Sequence, residues 1–233
     1  MELDIKLSIL DKIYEIYDDF ACDLDVACKK HCATCCTRNV TMTTLEGYKI
    51  VEYMTSNGKT NFFENIQKDI HKKRFQPELT TNALADLCVS GKDIPDEESD
   101  YKWGTCPLLT KNECPIYTVR PFGCRCFVST VKCLEKGYAD IDPFVITVNN
   151  LFLQYIEHID SQGCSGNLTD VLLFLESKKT FENYGKDSLN FTDSGLSSNH
   201  LIPVLLIPPE HQLRIQPILQ KLHAIKLAPF GRA

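Results

Sequence analysis

The sequence has no apolar run long enough to cross a membrane, and its start does not resemble a signal peptide. The opening segment, MELDIKLSILDKI, carries acidic residues where a signal peptide has a basic stretch before its apolar core. Basic residues are also in the minority, 25 Lys and Arg against 31 Asp and Glu, which gives a formal net charge of -6. This balance provides no electrostatic footprint for nucleic acid or an anionic membrane. We therefore expect a cytoplasmic protein whose partner is a protein or a small molecule, with no nucleic acid and no membrane among its partners.

The sequence also lacks the motifs of several enzyme classes. It contains no G-x-S-x-G, no phosphate-binding P-loop and no dinucleotide-binding glycine pattern. No internal repeat or heptad array is visible either. A hydrolase or kinase interpretation therefore has no support.

Cysteine is the residue that the chain has in quantity, with 12 thiols among 233 residues. Eight of them form two clusters, Cys28, Cys32, Cys35 and Cys36 upstream and Cys106, Cys114, Cys124 and Cys126 downstream. Disulfides are one interpretation, but the clustered spacing and a reducing cytoplasm argue against them. Thiolates gathered at short spacing are typical of zinc or iron–sulfur sites. We expect Cys22, Cys88, Cys133 and Cys164, which are isolated, to be packed or exposed thiols and not ligands.

The spacing alone leaves the metal open, because it suits both tetrahedral zinc and a cubane iron–sulfur cluster. Adjacent residues such as Cys35 and Cys36 point in different directions on a strand or a helix, so both rarely reach one small ion. A larger cluster gives them a better chance, which favours an iron–sulfur cluster, [4Fe-4S] by preference, over zinc. His31 is the only histidine that we consider as a ligand, because mixed Cys and His sites are common for zinc.

These motifs resemble those of the YkgJ-type cysteine-cluster family, which is described as zinc- or iron-chelating. The resemblance covers roughly residues 25 to 130 and rests on the spacing C-x3-C-x2-C-C, on Glu46, and on the segments CPLL, CPIYTVRP and CR. It implies a metal but no particular reaction. The metal ligands that the resemblance implies are Cys28, Cys32, Cys35, Cys36, Cys106, Cys114 and Cys124. The second signature that it implies consists of Tyr117, Arg120, Pro121 and Arg125. Cys126 falls outside the family pattern.

Three functions are compatible with this reading. The first is an iron–sulfur protein with a redox or substrate-activating role, and the second is a non-catalytic zinc-binding structural or metal-handling protein. The cysteine cluster is also similar to that of flagellin lysine methylases, which implies a methyltransferase-like enzyme as the third, although no nucleotide-binding signature accompanies it. Whether the protein is an enzyme stays open.

Several polar residues of the motifs have two interpretations. Arg120 and Arg125, which we group with Tyr117 as cofactor-binding candidates, either compensate the negative charge of a thiolate centre or hold the loop through a buried ion pair or carbonyl contacts. For Glu46 we favour stabilisation of a helix N-terminus over contact with the metal site, because an acid there interacts well with the helix dipole.

Apolar periodicity predicts a mainly α fold, an irregular helical domain with long metal-stapled cysteine-rich loops. Helices are expected at 3–20, from 43 or 44 to 57, and at 61–75, 80–89, 168–177 and 210–227. The pattern does not decide whether 143–159 starts extended or is helical throughout. It predicts a short strand or extended arm at 201–209, and the composition of 186–200 predicts a linker. We expect residues 1–165 to form the cysteine-cluster metal-binding domain with its N-terminal helix, and residues 166–233 a helical C-terminal extension.

Overall fold

The computed structural model of the chain describes residues 1–29, 31–59, 61–186, 189, 191 and 194–225. Over this part of the chain the fold is mainly helical, as the periodicity predicts, with a small antiparallel sheet that the sequence did not indicate. The α-helices are α1 Leu3–Cys22, α2 Thr44–Ser56, α3 Phe62–Lys68, α4 Thr81–Ser90, α5 Phe122–Arg125, α6 Cys133–Lys136, α7 Pro143–Ile159, α8 Leu168–Phe174, α9 Lys178–Gly185 and α10 Gln216–Ala224. The strands are β1 Thr41–Thr43, β2 Cys164–Asn167 and β3 Ser197–Ser198.

The sheet has the order β1-β2-β3, and both of its pairings are antiparallel. In the register of the first pair, Met42 lies opposite Gly166. Strand β3 lies in the segment predicted as a linker, so that prediction is wrong at Ser197–Ser198, where the backbone pairs with β2. Residues 187, 188, 190, 192 and 193 of the predicted linker lie outside the described residues.

All six predicted helices are present, and three are shorter than predicted. Helix α8 ends at Phe174 and not at 177. Helix α3 ends at Lys68 and not at 75, because Asp69 turns to pair with Arg38 and Arg74 turns to pair with Asp170. Helix α10 begins at Gln216 and not at 210, since a 3₁₀ turn at Pro209–His211 precedes it. Its predicted last residues, 226 and 227, lie outside the described residues.

Two segments that the pattern left ambiguous are resolved. Helix α7 is helical from its first residue, because Asp142 caps it by accepting the amide of Phe144 at 2.7 Å and Pro143 suits the first helical position. Residues 201–208 form an arm without an assigned strand, and the arm bends at 203–204. The arm is held by the Gln154 side chain, which donates to the Val204 carbonyl at 2.7 Å and accepts the Leu206 amide at 2.9 Å.

Helix α7 is central to the apolar core and packs against α1, α4 and α5. It is buried on almost every side, as expected for a helix that is apolar around most of its circumference. Its Phe152 ring contacts Tyr17 of α1 edge-on and stacks on Phe122 of α5, with centroids 5.2 and 5.6 Å apart. The core therefore reaches the start of the helix that carries Cys124.

Side chains on both sides of residue 165 share the same apolar cluster, and β2 runs across this position. The buried Asp160 carboxylate adds polar links, since it accepts the Thr44 hydroxyl at 2.7 Å and the Tyr184 hydroxyl at 2.6 Å. The division into residues 1–165 and 166–233 stays a prediction. Among the described residues, no helix combines the length and the apolar content that a membrane crossing requires.

Candidate metal centre

A short antiparallel pairing brings the two cysteine clusters together. Thr37 pairs with Thr105. On one side of this pair the Cys106 amide donates to the Cys36 carbonyl at 2.9 Å, and on the other the Arg38 amide donates to the Gly104 carbonyl at 3.1 Å. Two segments about seventy residues apart in sequence are thus paired through their backbones, and each segment carries a cysteine next to the pairing.

The downstream loop turns tightly after Cys106 and Cys114, so backbone amides face the sulfurs. The amides of Leu108 and Leu109 hydrogen-bond to the Cys106 sulfur, and the amide of Ile116 to the Cys114 sulfur. Hydrogen bonds of this kind stabilise a thiolate relative to a thiol. They are also among the means by which proteins tune sulfur-ligated metals.

Helix α5, which carries Cys124, is pressed against β1. A Cβ atom on Gly123 would lie 2.5 Å from the Thr41 carbonyl oxygen, so only glycine permits this approach. The Glu46 carboxylate accepts the Phe122 amide at 2.6 Å, which satisfies one of the free amides at the start of α5. These contacts fix the backbone that presents Cys124.

Six thiols come close enough to interact electrostatically around Cys124. Cys124 interacts with Cys35, Cys106, Cys114 and Cys126, and Cys36 interacts with Cys106, Cys114 and Cys124. Cys35 and Cys36 are also hydrogen-bonded to each other. We call this set the inner thiols: Cys35, Cys36, Cys106, Cys114, Cys124 and Cys126. It contains five of the seven predicted ligands, and also Cys126.

Loss of hydration is the main cause that raises the pKa of four inner thiols, Cys106, Cys114, Cys124 and Cys126. It raises the pKa of Cys106 to about 11 and that of Cys126 to about 12, and it holds the pKa of Cys124 well above its usual value. The hydrogen bond with the Cys35 thiol instead lowers the pKa of Cys36. At neutral pH most of these groups are therefore thiols, and a metal must displace their protons to bind.

Cys28 and Cys32, the other two predicted ligands, lie at the edge of this set. Cys32 lines a cavity of about 150 Å³ together with Cys36, Cys114 and His31. Cys28 interacts electrostatically with Cys32 and Cys35, which links it to the inner thiols. The ligand roles of these residues and of His31 stay predictions.

Cys133 lies beside Cys28, where the sequence gave no reason to expect it. The Ala27 amide donates to the Ser129 carbonyl at 2.8 Å, and this bond draws the segment before α6 towards the upstream cluster. Cys28 and Cys133 interact electrostatically and line one cavity of about 640 Å³. The three remaining thiols show no such interaction: Cys22 and Cys88 are exposed, and Cys164 is buried in β2.

Both signature arginines hold the downstream loop through backbone carbonyls. Arg120 donates to the Tyr117 carbonyl at 2.7 Å and stacks on the Tyr117 ring at 4.0 Å. Arg125 donates to the carbonyls of Arg120 and Thr118, both at 3.0 Å, and its guanidinium lies 4.2 Å from the centre of the Tyr14 ring. The carbonyl-contact interpretation is thus supported for both residues. Arg120 also acts by charge, since it opposes the rise that burial causes in the pKa of Cys114.

Arg38 is a residue near the site that the sequence analysis missed. Its side chain is only 5% exposed and pairs with Asp69. The positive charge opposes the burial-driven rise in the pKa of Cys106, so the guanidinium lies within electrostatic range of this thiol. No local sequence pattern could have revealed that Arg38 lies near Cys106, because this proximity depends on the pairing of Thr37 with Thr105.

The donor set suits a thiolate-ligated metal. Within the described part of the chain, no group of three or more His, Cys, Asp or Glu side chains has the spacing that holds a single metal ion. The inner thiols are nonetheless soft donors of the type that zinc and iron–sulfur centres use. Four of them, Cys106, Cys114, Cys124 and Cys126, pack against the apolar core, and two receive backbone amides.

A comparison with protein families agrees with this chemistry. The CxxCxxCC family model, described as "Putative zinc- or iron-chelating domain", matches residues 27–143. Searches of curated proteins and of solved structures found no match. The matched segment contains both cysteine clusters and covers half of the chain. The chain therefore belongs to the CxxCxxCC family of zinc- or iron-chelating domains.

Proposed function

We propose that the protein holds an iron–sulfur cluster, [4Fe-4S] by preference, on its inner thiols and uses it in redox chemistry or in activating a substrate. The family supports chelation of zinc or iron. The observation that carries the choice of a cluster is that six thiols interact around Cys124. A structural zinc ion takes four ligands, whereas a cluster of several metals and sulfides is large enough to contact sulfurs that lie further apart.

The neighbours Cys35 and Cys36 support the same choice. Cys36 interacts with Cys106, Cys114 and Cys124, while Cys35 interacts with Cys124, so both adjacent thiols face the downstream loop. One small ion rarely accommodates both members of such a pair. A cluster can use one of them as a ligand while the other donates an S–H hydrogen bond to it.

The sequence predicts as ligands Cys28, Cys32, Cys35, Cys36, Cys106, Cys114 and Cys124. We propose that the ligands come from the five of these that belong to the inner thiols, while Cys28 and Cys32 lie at the edge of the site. Their mutual interactions rank Cys36, Cys106, Cys114 and Cys124 first. A cubane cluster is commonly held by four cysteines, so the surplus thiols would line the site. When bound, such a cluster supplies one-electron transfer or a Lewis-acidic iron.

The residues around the thiols would support the centre in defined ways. The amides of Leu108, Leu109 and Ile116 stabilise thiolate charge on Cys106 and Cys114. Arg120 adds positive charge near Cys114. Phe122, which is fully buried, keeps water away from the base of α5.

Zinc is the second candidate, in a non-catalytic structural or metal-handling role. It is supported by the same four first-ranked cysteines, which would complete a tetrahedral Cys₄ site without the surplus thiols. Under this alternative the centre would contribute to folding but would not change oxidation state.

Metal analysis separates the two candidates. The protein should be purified without oxygen, and iron, zinc and acid-labile sulfide should be counted per chain, together with the visible absorption spectrum. We expect a brown protein that contains iron and sulfide in equal amounts. A colourless protein with one zinc per chain and neither iron nor sulfide would establish the zinc alternative.

A further inference from the structure

Arg38 has a buried hydrogen-bond donor without a partner. Among the described residues, no group accepts its Nε–H, although the side chain is only 5% exposed. The ion pair with Asp69 uses only the far end of the guanidinium, at an Nη atom. A buried donor left unsatisfied destabilises the fold, so a group that accepts this hydrogen bond would stabilise the folded chain.

The local pairing places Arg38 on the same face as two cysteines. Side chains two residues apart on a paired strand point the same way, and Thr37 pairs with Thr105. The side chains of Cys36 and Arg38 therefore lie on the same face. Cys106 lies opposite Cys36, and Gly104 lies opposite Arg38. The electrostatic interactions of Cys106 with Cys36 and with Arg38 agree with this arrangement.

Gly104 makes room for the guanidinium on this face. A Cβ atom on Gly104 would lie 3.0 Å from Nε of Arg38, and the φ angle of Gly104 is +117°, which favours glycine. The missing side chain lets the unsatisfied Nε–H lie against the backbone two residues before Cys106.

The ion pair with Asp69 keeps the guanidinium in position. Hydrogen bonds from Lys72 and Arg38 outweigh the effect of burial and hold the pKa of Asp69 below its usual range. The carboxylate is therefore ionised at neutral pH and anchors Arg38 through an Nη atom, which leaves the Nε–H free for another acceptor. An arginine is always charged, so the positive charge persists at any pH at which the metal can bind.

We propose that Arg38 is a positioning and charge-compensating residue of the metal centre, and that its Nε–H donates to a sulfur atom of the bound centre. The inference rests on the proposed function for the presence of a thiolate-ligated centre at the inner thiols. A reduced cluster carries more negative charge than an oxidised one, so a nearby cation stabilises the reduced form. Arg38 would thereby raise the reduction potential and slow the loss of metal.

The test compares Arg38→Gln and Arg38→Lys with Asp69→Asn. The first variant removes both the charge and the Nε–H, the second keeps a charge without the guanidinium, and the third removes the ion pair but leaves Arg38 in place. Each protein is purified without oxygen, its folding is checked by circular dichroism, and its metal content and reduction potential are measured.

For Arg38→Gln we expect a potential lower than that of the wild type by about 59 mV, which is tenfold in the ratio of reduced to oxidised one-electron centres. Arg38→Lys should show a smaller decrease, and Asp69→Asn should shift least. An unchanged potential in Arg38→Gln, or an equal shift in Asp69→Asn, would show that Arg38 only supports the fold.

If the wild-type protein contains zinc alone, the proposed cluster is wrong, and the rate of zinc release to a chelator tests Arg38 instead. Arg38→Gln should then release zinc about tenfold faster than Asp69→Asn, since it loses a charge-assisted hydrogen bond to the centre. Equal release rates in the two variants would overturn the inference in this case too.

Discussion

The Glu46 carboxylate accepts the backbone amide of Phe122 at 2.6 Å. The same carboxylate closes the capping box of α2 by accepting the Thr43 amide at 2.9 Å, and it accepts the Tyr14 hydroxyl at 2.7 Å. One acid that is 3% exposed thus ties α1 and α2 to the helix that carries Cys124. The expected role at the helix N-terminus is confirmed, and the link to α5 is additional.

Replacing Glu46 should therefore affect both stability and metal retention. In Glu46→Gln the side chain keeps its size but loses one acceptor, so at least one of three buried donors loses its partner. We expect the free energy of unfolding to fall by about 1–3 kcal/mol. Urea denaturation of the metal-loaded protein measures this, and the bound metal should also be released faster to a chelator.

Glu52→Gln is the matched control for Glu46→Gln, because Glu52 lies on the same helix and is exposed. It should stay within about 0.5 kcal/mol of the wild type. If Glu46→Gln were as stable as this control, the three hydrogen bonds would have no energetic importance.

Single Cys→Ala substitutions test the ranking of the ligands. Cys36→Ala and Cys124→Ala should lose most of their metal, because these two thiols interact with the largest number of other inner thiols. Cys88→Ala should retain the metal at the wild-type level, since Cys88 is exposed on α4. Metal counted per chain in the three proteins gives the answer, and full occupancy in both Cys36→Ala and Cys124→Ala would mean that other thiols hold the centre.

The pH dependence of stability should contain a contribution from His158, which is 4% exposed and accepts the Ile202 amide at Nδ1 over 3.2 Å. Burial lowers the pKa of His158 below its usual value. The folded state then binds the proton less readily than the unfolded state. The contribution to stability is therefore fully present above about pH 6.5 and is lost as the pH falls towards the folded pKa.

His158→Asn isolates this contribution, because asparagine has an acceptor close to the position of Nδ1 but does not titrate. Unfolding free energies of both proteins should be measured between about pH 7.5 and pH 5.5. We expect the wild type to lose more stability than the variant over this range. Metal release affects the stability of both proteins alike, so it cancels in the comparison. Parallel pH profiles of the two proteins would rule out a buried neutral His158.

Removal of the metal should loosen the segment 93–145 selectively. Up to residue 142 this segment consists of loops and helices of at most four residues, and it carries the downstream cysteines; its last three residues begin α7. Metal binding should contribute to its folding, because a site of this kind rarely forms without the metal. Limited proteolysis of protein stripped by a chelator under reducing conditions should cut within 93–145 first.

Helix α1 provides the internal reference for this experiment. Leu10, Ile13 and Tyr17 bury its inner face in the core, so it should remain protected longer than the loop segment. Cleavage at the same rate in metal-loaded and verified metal-free protein would contradict a structural contribution of the metal.

Features set by neighbouring residues could be predicted from the sequence. The capping box of Thr43 and Glu46 is local, and so is the apolar stripe of α1, and both occur where they were expected. Helix α3 ended early because Asp69 and Arg74 bond to residues far along the chain. Local propensity cannot represent such partners.

Features that depend on long-range pairing could not be predicted. Strands of two to four residues are too short to show alternation, and β1 and β2 are separated by more than a hundred residues. The positions of Arg38 and Cys133 beside the cysteines result from backbone bonds at Thr105 and Ser129, for which the sequence contains no signal. The spacing of the seven motif cysteines could be read from the sequence, but their roles as ligands stay predictions.

X-ray absorption at the iron and zinc edges, recorded on one sample purified without oxygen, tests the central claim most directly. The inner thiols are proposed to hold a polynuclear centre. The account predicts an iron edge with sulfur neighbours and a short iron–iron distance, and no stoichiometric zinc. A zinc edge with four sulfur neighbours in a sample without iron would contradict it.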